Sequence, residues 1–151
     1  MSTIKQVVGT RTALSISSVA TLAAGIYVAS AIYTANTNQP TDVVVEVMAG
    51  TTNAPAGNKQ VVVFVQDSLD GTVFRTGPTN GSSTANEADL RLMGVVPTVE
   101  SAGVMLHRGF FSIANSCGYV PYAFQIVLKN DLGVALTTAT AFTSEISMTV
   151  T

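Results

Sequence analysis

Charged residues are scarce in this 151-residue chain. Only 11% of the residues are Asp, Glu, Lys or Arg, against about 25% in a typical soluble domain. The net charge is −2 and the seven basic residues are scattered, so no positive stripe predicts binding to nucleic acid. The mean hydropathy of +0.42 is high for a chain alone in water. We therefore expect either a membrane or signal segment in the N-terminal third, or apolar surface buried against other subunits.

Cysteine, histidine and tryptophan are almost missing. Cys117 is the only cysteine, which excludes an intrachain disulfide and a cysteine-based zinc site, and we interpret it as a small buried side chain. His107 is the only histidine. The sequence places no nucleophile or orienting acid beside it, so we expect a partly exposed turn residue or an interface contact there. A threefold axis could bring three copies of it together around a metal ion.

The acidic residues fit structural roles better than catalysis. Asp67 and Asp70 could offer oxygen ligands to calcium, but the spacing is not that of an EF-hand, and the DSLDG sequence predicts an Asp-Gly turn. Glu87 and Asp89 could form a glycosidase pair only in a sugar cleft rich in aromatic residues, and the chain has no Trp. No phosphate-binding or dinucleotide-binding glycine motif occurs. We expect no enzyme, and no catalytic, cofactor-binding or metal-binding residue.

Two dense Val-rich runs dominate the pattern, at residues 42–48 and 60–66. β-branched residues favour strands, and near-continuous apolar runs indicate strands covered on both faces. The linker at residues 49–59 is too long for a tight turn, so the two strands either pair through a wide loop or lie in different sheets. Further short strands are predicted at residues 72–75, 88–96, 104–106, 110–114, 119–129, 134–136 and 144–150. The polar stretch 77–86 is predicted to be a loop. The expected fold class is all-β, a single-domain antiparallel β-sandwich or jelly roll.

The first 33 residues allow more than one interpretation. Residues 1–12 have little apolar patterning and are predicted to form an extended arm, with the sandwich domain at 13–151. Residues 13–33 resemble a signal peptide, and their length also approaches that of a membrane span. Repeated serines and Gly25 interrupt this run, which favours two strands at 13–19 and 26–33 joined by a turn at 21–25.

Residues 109–140, GFFSIANSCGYVPYAFQIVLKNDLGVALTTAT, carry a family resemblance. They resemble the closing part of small β-sandwich virion proteins of tailed bacteriophages, in which a Phe-Ser element precedes Val-x-x-Asn-x-x-Gly-x-Ala-Leu, here at residues 127–136. VVVFVQDSLDGTVFRTG at 61–77 and LMGVV at 92–96 are similar to further elements of that family. The resemblance covers about residues 42–141. This chain departs from the pattern where Tyr122 and Phe124 replace the family's Trp.

The resemblance implies a capsid decoration, or cement, protein. Such a protein would sit on the outer capsid surface as a homotrimer, bind the major capsid protein and join neighbouring capsomers. It would bind no nucleic acid, membrane or small-molecule substrate. The arm at residues 1–12 would cross to a neighbouring subunit or to the capsid. The alternative is a tail or fibre module of the adhesin type that binds a receptor through residues 77–86 and 49–59.

Overall fold

The computed structural model describes residues 2–17, 19, 22–35, 39–78, 87–99 and 105–151. Within these ranges the chain forms ten strands, one short α-helix and one 3-10 turn. The strands are β1 (Ile4–Val8), β2 (Thr12–Leu14), β3 (Tyr27–Ala29), β4 (Tyr33–Thr34), β5 (Asp42–Thr51), β6 (Gln60–Ser68), β7 (Arg91–Pro97), β8 (Met105–Ser112), β9 (Ala123–Asp131) and β10 (Thr138–Val150). The helix α1 spans Ile113–Cys117, and the 3-10 turn spans Glu87–Asp89.

The strands form two antiparallel sheets. In the first sheet β10 lies between β5 and the pair β1 and β2, and β8 is the other edge. In the second sheet β9 lies between β6 and the pair β3 and β4, and β7 is the other edge. β1 and β2 together form one interrupted edge strand, and so do β3 and β4. Counted in this way, the described strands fill eight positions along the chain, and their order across the two sheets is 1-8-3-6 and 2-7-4-5. This is a jelly roll, so the predicted fold class is confirmed.

The two Val-rich runs lie in different sheets and face each other across the core. Every second residue of β5 and β6 points inward, and six of these side chains are fully buried in one cluster. They are Val43, Val45, Val47, Val61, Val63 and Val65. Burying β-branched side chains from both sheets supplies the main apolar driving force for the fold. The long linker at residues 52–59 therefore crosses from one sheet to the other.

At the N-terminal edge of the first sheet, β1 pairs with β10 of the same chain. In β1, Ile4 pairs with Val150 and Val8 with Ile146 of β10. Thr3 and Thr151 exchange two backbone hydrogen bonds of 2.9 Å. All five β1 residues are exposed, and β5 starts only opposite Ile146. Among the described strands, β1 and the end of β10 thus form a ribbon beyond the sandwich. The division at residues 12 and 13 stays a prediction.

Residues 13–33 are extended rather than helical wherever the structure describes them. They contain β3, most of β2, the start of β4 and a bridge between Ile16 and Ser30, so the two predicted strands are shorter and more broken than expected. Residue 18 of the predicted strand, residue 21 of the predicted turn and residue 20 between them lie outside the described part. No helix in the described ranges is long and apolar enough to cross a membrane.

Several local predictions are wrong. The strand predicted at 119–129 begins only at Ala123, and residues 134–136 form only an isolated bridge from Leu136 to Leu22. Residues 72–75 form no strand, because side chains of β6 hold this segment: Gln66 donates to the Arg75 carbonyl. Residues 113–117 form α1 instead of continuing a strand, because the Ser112 hydroxyl caps the helix N-terminus. His107 lies inside β8, opposite Ala49, rather than in a turn, and an interface contact of His107 stays a prediction. Residues 79–86 of the predicted polar loop lie outside the described part.

Candidate interaction surface

The centre of the outer face of the second sheet is covered by the chain itself. Phe64 of β6 and Val127 of β9 are buried there in a small cluster with Tyr27 and Leu90. The segment that follows β6 returns across this face, and Gly77 packs against Gln66 and Leu90. The chain therefore covers the centre of this face, while Leu92 and Val95 of the edge strand β7 stay exposed.

On the outer face of the first sheet, large apolar side chains of β8 are exposed. Alternate residues of β8 point outward, opposite Gly50, Met48 and Glu46 of β5, and Phe142 of β10 lies on the other side of Glu46. Phe110 is 66% exposed and Leu106 is 49% exposed. We name this surface the Phe110 face; its residues are Glu46, Met48, Leu106, Arg108, Phe110 and Phe142. Exposed aromatic, Met and Arg side chains are the composition typical of protein interfaces.

Electrostatic contacts organise the centre of the Phe110 face. Glu46 is only 7% exposed, and its Oε2 accepts from Nε of Arg11 at 2.5 Å. Nη1 of Arg108 lies 3.7 Å from the other carboxylate oxygen. Two guanidinium groups thus share one carboxylate, which leaves an excess of positive charge on a largely apolar surface.

A β-bulge brings Arg11 onto this face. Val8 pairs with Ile146, whereas Thr12 pairs with Thr143. Three residues of the N-terminal edge therefore oppose two of β10, and such a bulge redirects a side chain. The Arg11 guanidinium lies over the Phe142 ring, 3.2 Å from its centroid. The sequence gives Arg11 no pattern that would have predicted this contact.

Asp67 is a buried carboxylate held by side chains from other parts of the chain. It is 4% exposed and accepts from Nε of Arg75 and the hydroxyl of Tyr119, each at 2.5 Å, while Nε of Arg91 lies 3.4 Å away. Burial alone would raise its pKa, but the hydrogen bonds from Tyr119 and Arg75 and the two guanidinium charges outweigh burial and lower it. Asp67 therefore ties three separate segments together.

Asp70 caps the predicted Asp-Gly turn. Its Oδ1 accepts from the backbone N–H groups of Thr72 and Val73, both at 2.8 Å. These backbone hydrogen bonds, with that of the Ser68 hydroxyl, hold the pKa of the carboxyl well below its usual range. Gly71 has a φ of +77°, which glycine adopts without strain. The turn prediction is confirmed.

The remaining sequence candidates are not brought together into one site. Cys117 lies buried at the end of α1, and burial raises the pKa of its thiol to about 11, which confirms the prediction of a buried side chain. Glu87 accepts from Lys129 at 2.7 Å and also from the hydroxyl of Tyr27. It therefore belongs to a surface ion pair. Over the described residues, no group of three His, Cys, Asp or Glu side chains could hold a metal ion.

Comparisons with known proteins give no family. No protein-family model matches the sequence, and no curated protein matches it. Among solved structures the chain is similar to BuGH86wt in complex with neoagarooctaose, with 12% identity and a TM-score of 0.47 over 99% of this chain and 20% of that one. It is also similar to a family 16 carbohydrate-binding module, with 12% identity and a TM-score of 0.33 over 84% of this chain and 72% of that one.

A viral structure also resembles the chain. It comes from infectious bursal disease virus, Gx strain, with 10% identity and a TM-score of 0.37 over 97% of this chain and 32% of that one. The chain thus spans about a fifth of the BuGH86wt chain and about a third of the viral one. Likeness at these identities and TM-scores does not indicate a shared function.

Proposed function

We propose that the protein is a non-enzymatic virion structural protein, a decoration protein that binds the outer surface of a phage head through its Phe110 face. One observation carries this proposal. The centre of the outer face of one sheet is covered by the chain itself, whereas the Phe110 face exposes Phe110 and Leu106 at its own edge strand beside two arginines. A monomer gains nothing from such a surface, and a partner would bury it at about 25 cal/mol per Å² of apolar area.

Binding of this kind stabilises a head by mass action. A ligand that prefers the assembled lattice to free capsid subunits shifts the equilibrium toward assembly. The excess positive charge around Glu46 would steer the face toward acidic surface on the capsid protein. A rigid jelly roll with a buried core suits this role, since no moving part is needed.

We further propose that copies of the chain associate as a homotrimer. The ribbon of β1 and the end of β10 exposes Ile4, Val8, Met148 and Val150, and these apolar side chains lie on the outward side of the same sheet as the Phe110 face. Native mass by light scattering across a dilution series tests this. A mass three times 15.6 kDa that survives dilution supports the trimer, and a stable monomer contradicts it.

Head binding is tested with heads assembled without this protein. Phe110→Ser removes the most exposed aromatic side chain of the face, and we expect at least about a tenfold loss of affinity, as for an interface hot spot. Leu92→Ser is the matched control, because Leu92 is similarly exposed but lies on β7 of the other sheet. Co-sedimentation and the melting temperature of the decorated heads are the measurements. Equal binding by both variants, or attachment to host cells but not to heads, would contradict the proposal.

A further inference from the structure

A groove of about 460 Å³ lies between β2 and β4, at the edge where the two sheets part. Its volume falls within the range of small-ligand sites, roughly 300–1,000 Å³. β10 forms its floor, and the bulge of the N-terminal edge forms one wall. The polar side chains that line it come from both sheets and are Thr10, Thr12, Tyr33, Thr34, Thr143 and Glu145.

The Tyr33–Glu145 pair organises the groove. The Tyr33 hydroxyl donates to Oε1 of Glu145 at 2.5 Å, which fixes the carboxylate beside the threonines. The Tyr33 ring stacks on Phe124 with 4.7 Å between ring centroids, so the aromatic wall is held from behind. Burial, and then the hydrogen bond to Glu145, raise the pKa of Tyr33 above its usual value, so the phenol keeps its proton at neutral pH.

The donor and acceptor set restricts the chemistry of a ligand. A carboxylate accepts several hydrogen bonds, and each threonine hydroxyl both donates and accepts. None of the described residues that line the groove is cationic, so an anionic ligand would meet only the repulsion of Glu145. At the rim Ile32 is 53% exposed and offers an apolar surface. A pyranose ring fits this arrangement, because its hydroxyl groups can contact the polar side of the groove and its C–H groups the apolar side.

We propose that this groove binds a neutral pyranose sugar. Glu145 accepts from two ring hydroxyls through its carboxylate, the threonine hydroxyls bind others, and the apolar face of the ring packs on Ile32 and the exposed side of Tyr33. The site is separate from the Phe110 face and does not depend on head binding. Its strongest polar contact is the carboxylate, because hydrogen bonds to a charged acceptor contribute about twice as much as neutral ones.

Methyl NMR of the full chain, titrated separately with galactose, glucose, mannose, rhamnose and N-acetylglucosamine at millimolar concentrations, tests the proposal. We expect at least one sugar to shift the methyl signals of Ile32, Thr34 and Thr143. Glu145→Gln should weaken the binding of that sugar about tenfold. Ile32→Lys should abolish binding by placing an ammonium group against Glu145. Val99→Lys is the matched control, since Val99 is 52% exposed and lies outside the groove.

Three results would overturn the proposal. The first is that none of the five sugars shifts those methyl signals. The second is that Glu145→Gln and Ile32→Lys both bind sugar with unchanged affinity. The third is that ethylamine shifts the signals and no sugar does, which would identify a cation site. Ile32→Lys keeps the test decisive if Glu145→Gln fails to fold, because Ile32 is a surface residue. Phe110→Ser should bind sugar normally, so failure of head binding and failure of sugar binding are separate results.

Discussion

The Arg11 guanidinium lies 3.2 Å from the centroid of the Phe142 ring while its Nε donates to the buried Glu46. One side chain from an edge bulge thereby reaches the two central strands of its sheet. The contact joins the N-terminal edge to the Phe110 face, so the stability of that edge and the shape of the proposed interface are linked.

Replacing Arg11 should loosen this link. Arg11→Ala removes a cation–π contact and the closer partner of Glu46, and we expect it to lower the free energy of unfolding by about 1 kcal/mol. Urea unfolding at low and high salt measures the loss, which should shrink as salt screens the ion pair. Lys5→Ala, which removes the same charge from the exposed β1, should change stability by less than about 0.5 kcal/mol. Equal losses in both variants would contradict the role of Arg11.

Acid should weaken the fold partly through Asp67. Its pKa in the folded chain is lowered, so its contribution is fully present above the unfolded pKa of about 3.9 and is lost as the pH falls through the folded value. Asp67→Asn should cost about 2 kcal/mol at pH 7 because Arg75 and Tyr119 lose a charged acceptor. The difference in the free energy of unfolding between variant and wild type should be smaller at pH 3. Asp131→Asn is the control, since the side chains that donate to Asp131 are the neutral amides of Asn58 and Gln60. A gap that stays constant with pH would contradict this account.

Two glycines make room for the ring of Phe111. A Cβ on Gly109 would lie 2.7 Å from Cζ of Phe111, and one on Gly94 would lie 2.9 Å from its Cε1. Gly109→Ala should therefore destabilise the protein by about 2 kcal/mol through overpacking. Combining it with Phe111→Leu should cost less than the sum of the single changes, because the smaller side chain relieves the clash. Strict additivity in thermal or urea unfolding would show that the ring is not the obstacle.

The N-cap of α1 contributes measurably to the stability of the fold. The Ser112 hydroxyl accepts from the Asn115 backbone N–H at 2.9 Å. Ser112→Ala should cost about 1 kcal/mol, whereas Ser112→Asp, which keeps an acceptor at the N-cap, should cost much less. If the two variants unfold at the same urea concentration, the cap contributes nothing.

The sequence predicted the strands that the core dictates. Residues 42–48 and 60–66 became β5 and β6, each slightly longer than predicted, because their Val pattern requires burial on the inner face. α1 was missed because five residues are too few for a helical period, although Ser112 before it and Gly118 after it are cap signals. At residues 72–75 a Gln66 side chain takes the carbonyl of Arg75 that a strand would have paired.

Neither surface could be located from the sequence. The Phe110 face depends on the register that sets Phe110 opposite Glu46, and the groove depends on Tyr33 of one sheet meeting Glu145 of the other. Both are contacts between residues far apart in the chain. The family resemblance also implied that no small-molecule substrate binds. The proposed sugar groove departs from that expectation by using threonines and a carboxylate.

The antiparallel pairing of Thr3 with Thr151 has a mechanical consequence. Tension applied between these two residues pulls β1 and β10 apart from one end, so the hydrogen bonds break one pair at a time and resist only weakly. Force applied across the first sheet, from β8 to β10, would instead load β5 and its whole set of cross-strand bonds at once. In the proposed role, the protein would therefore resist load better when it is held through the Phe110 face than when it is held through Thr3 and Thr151.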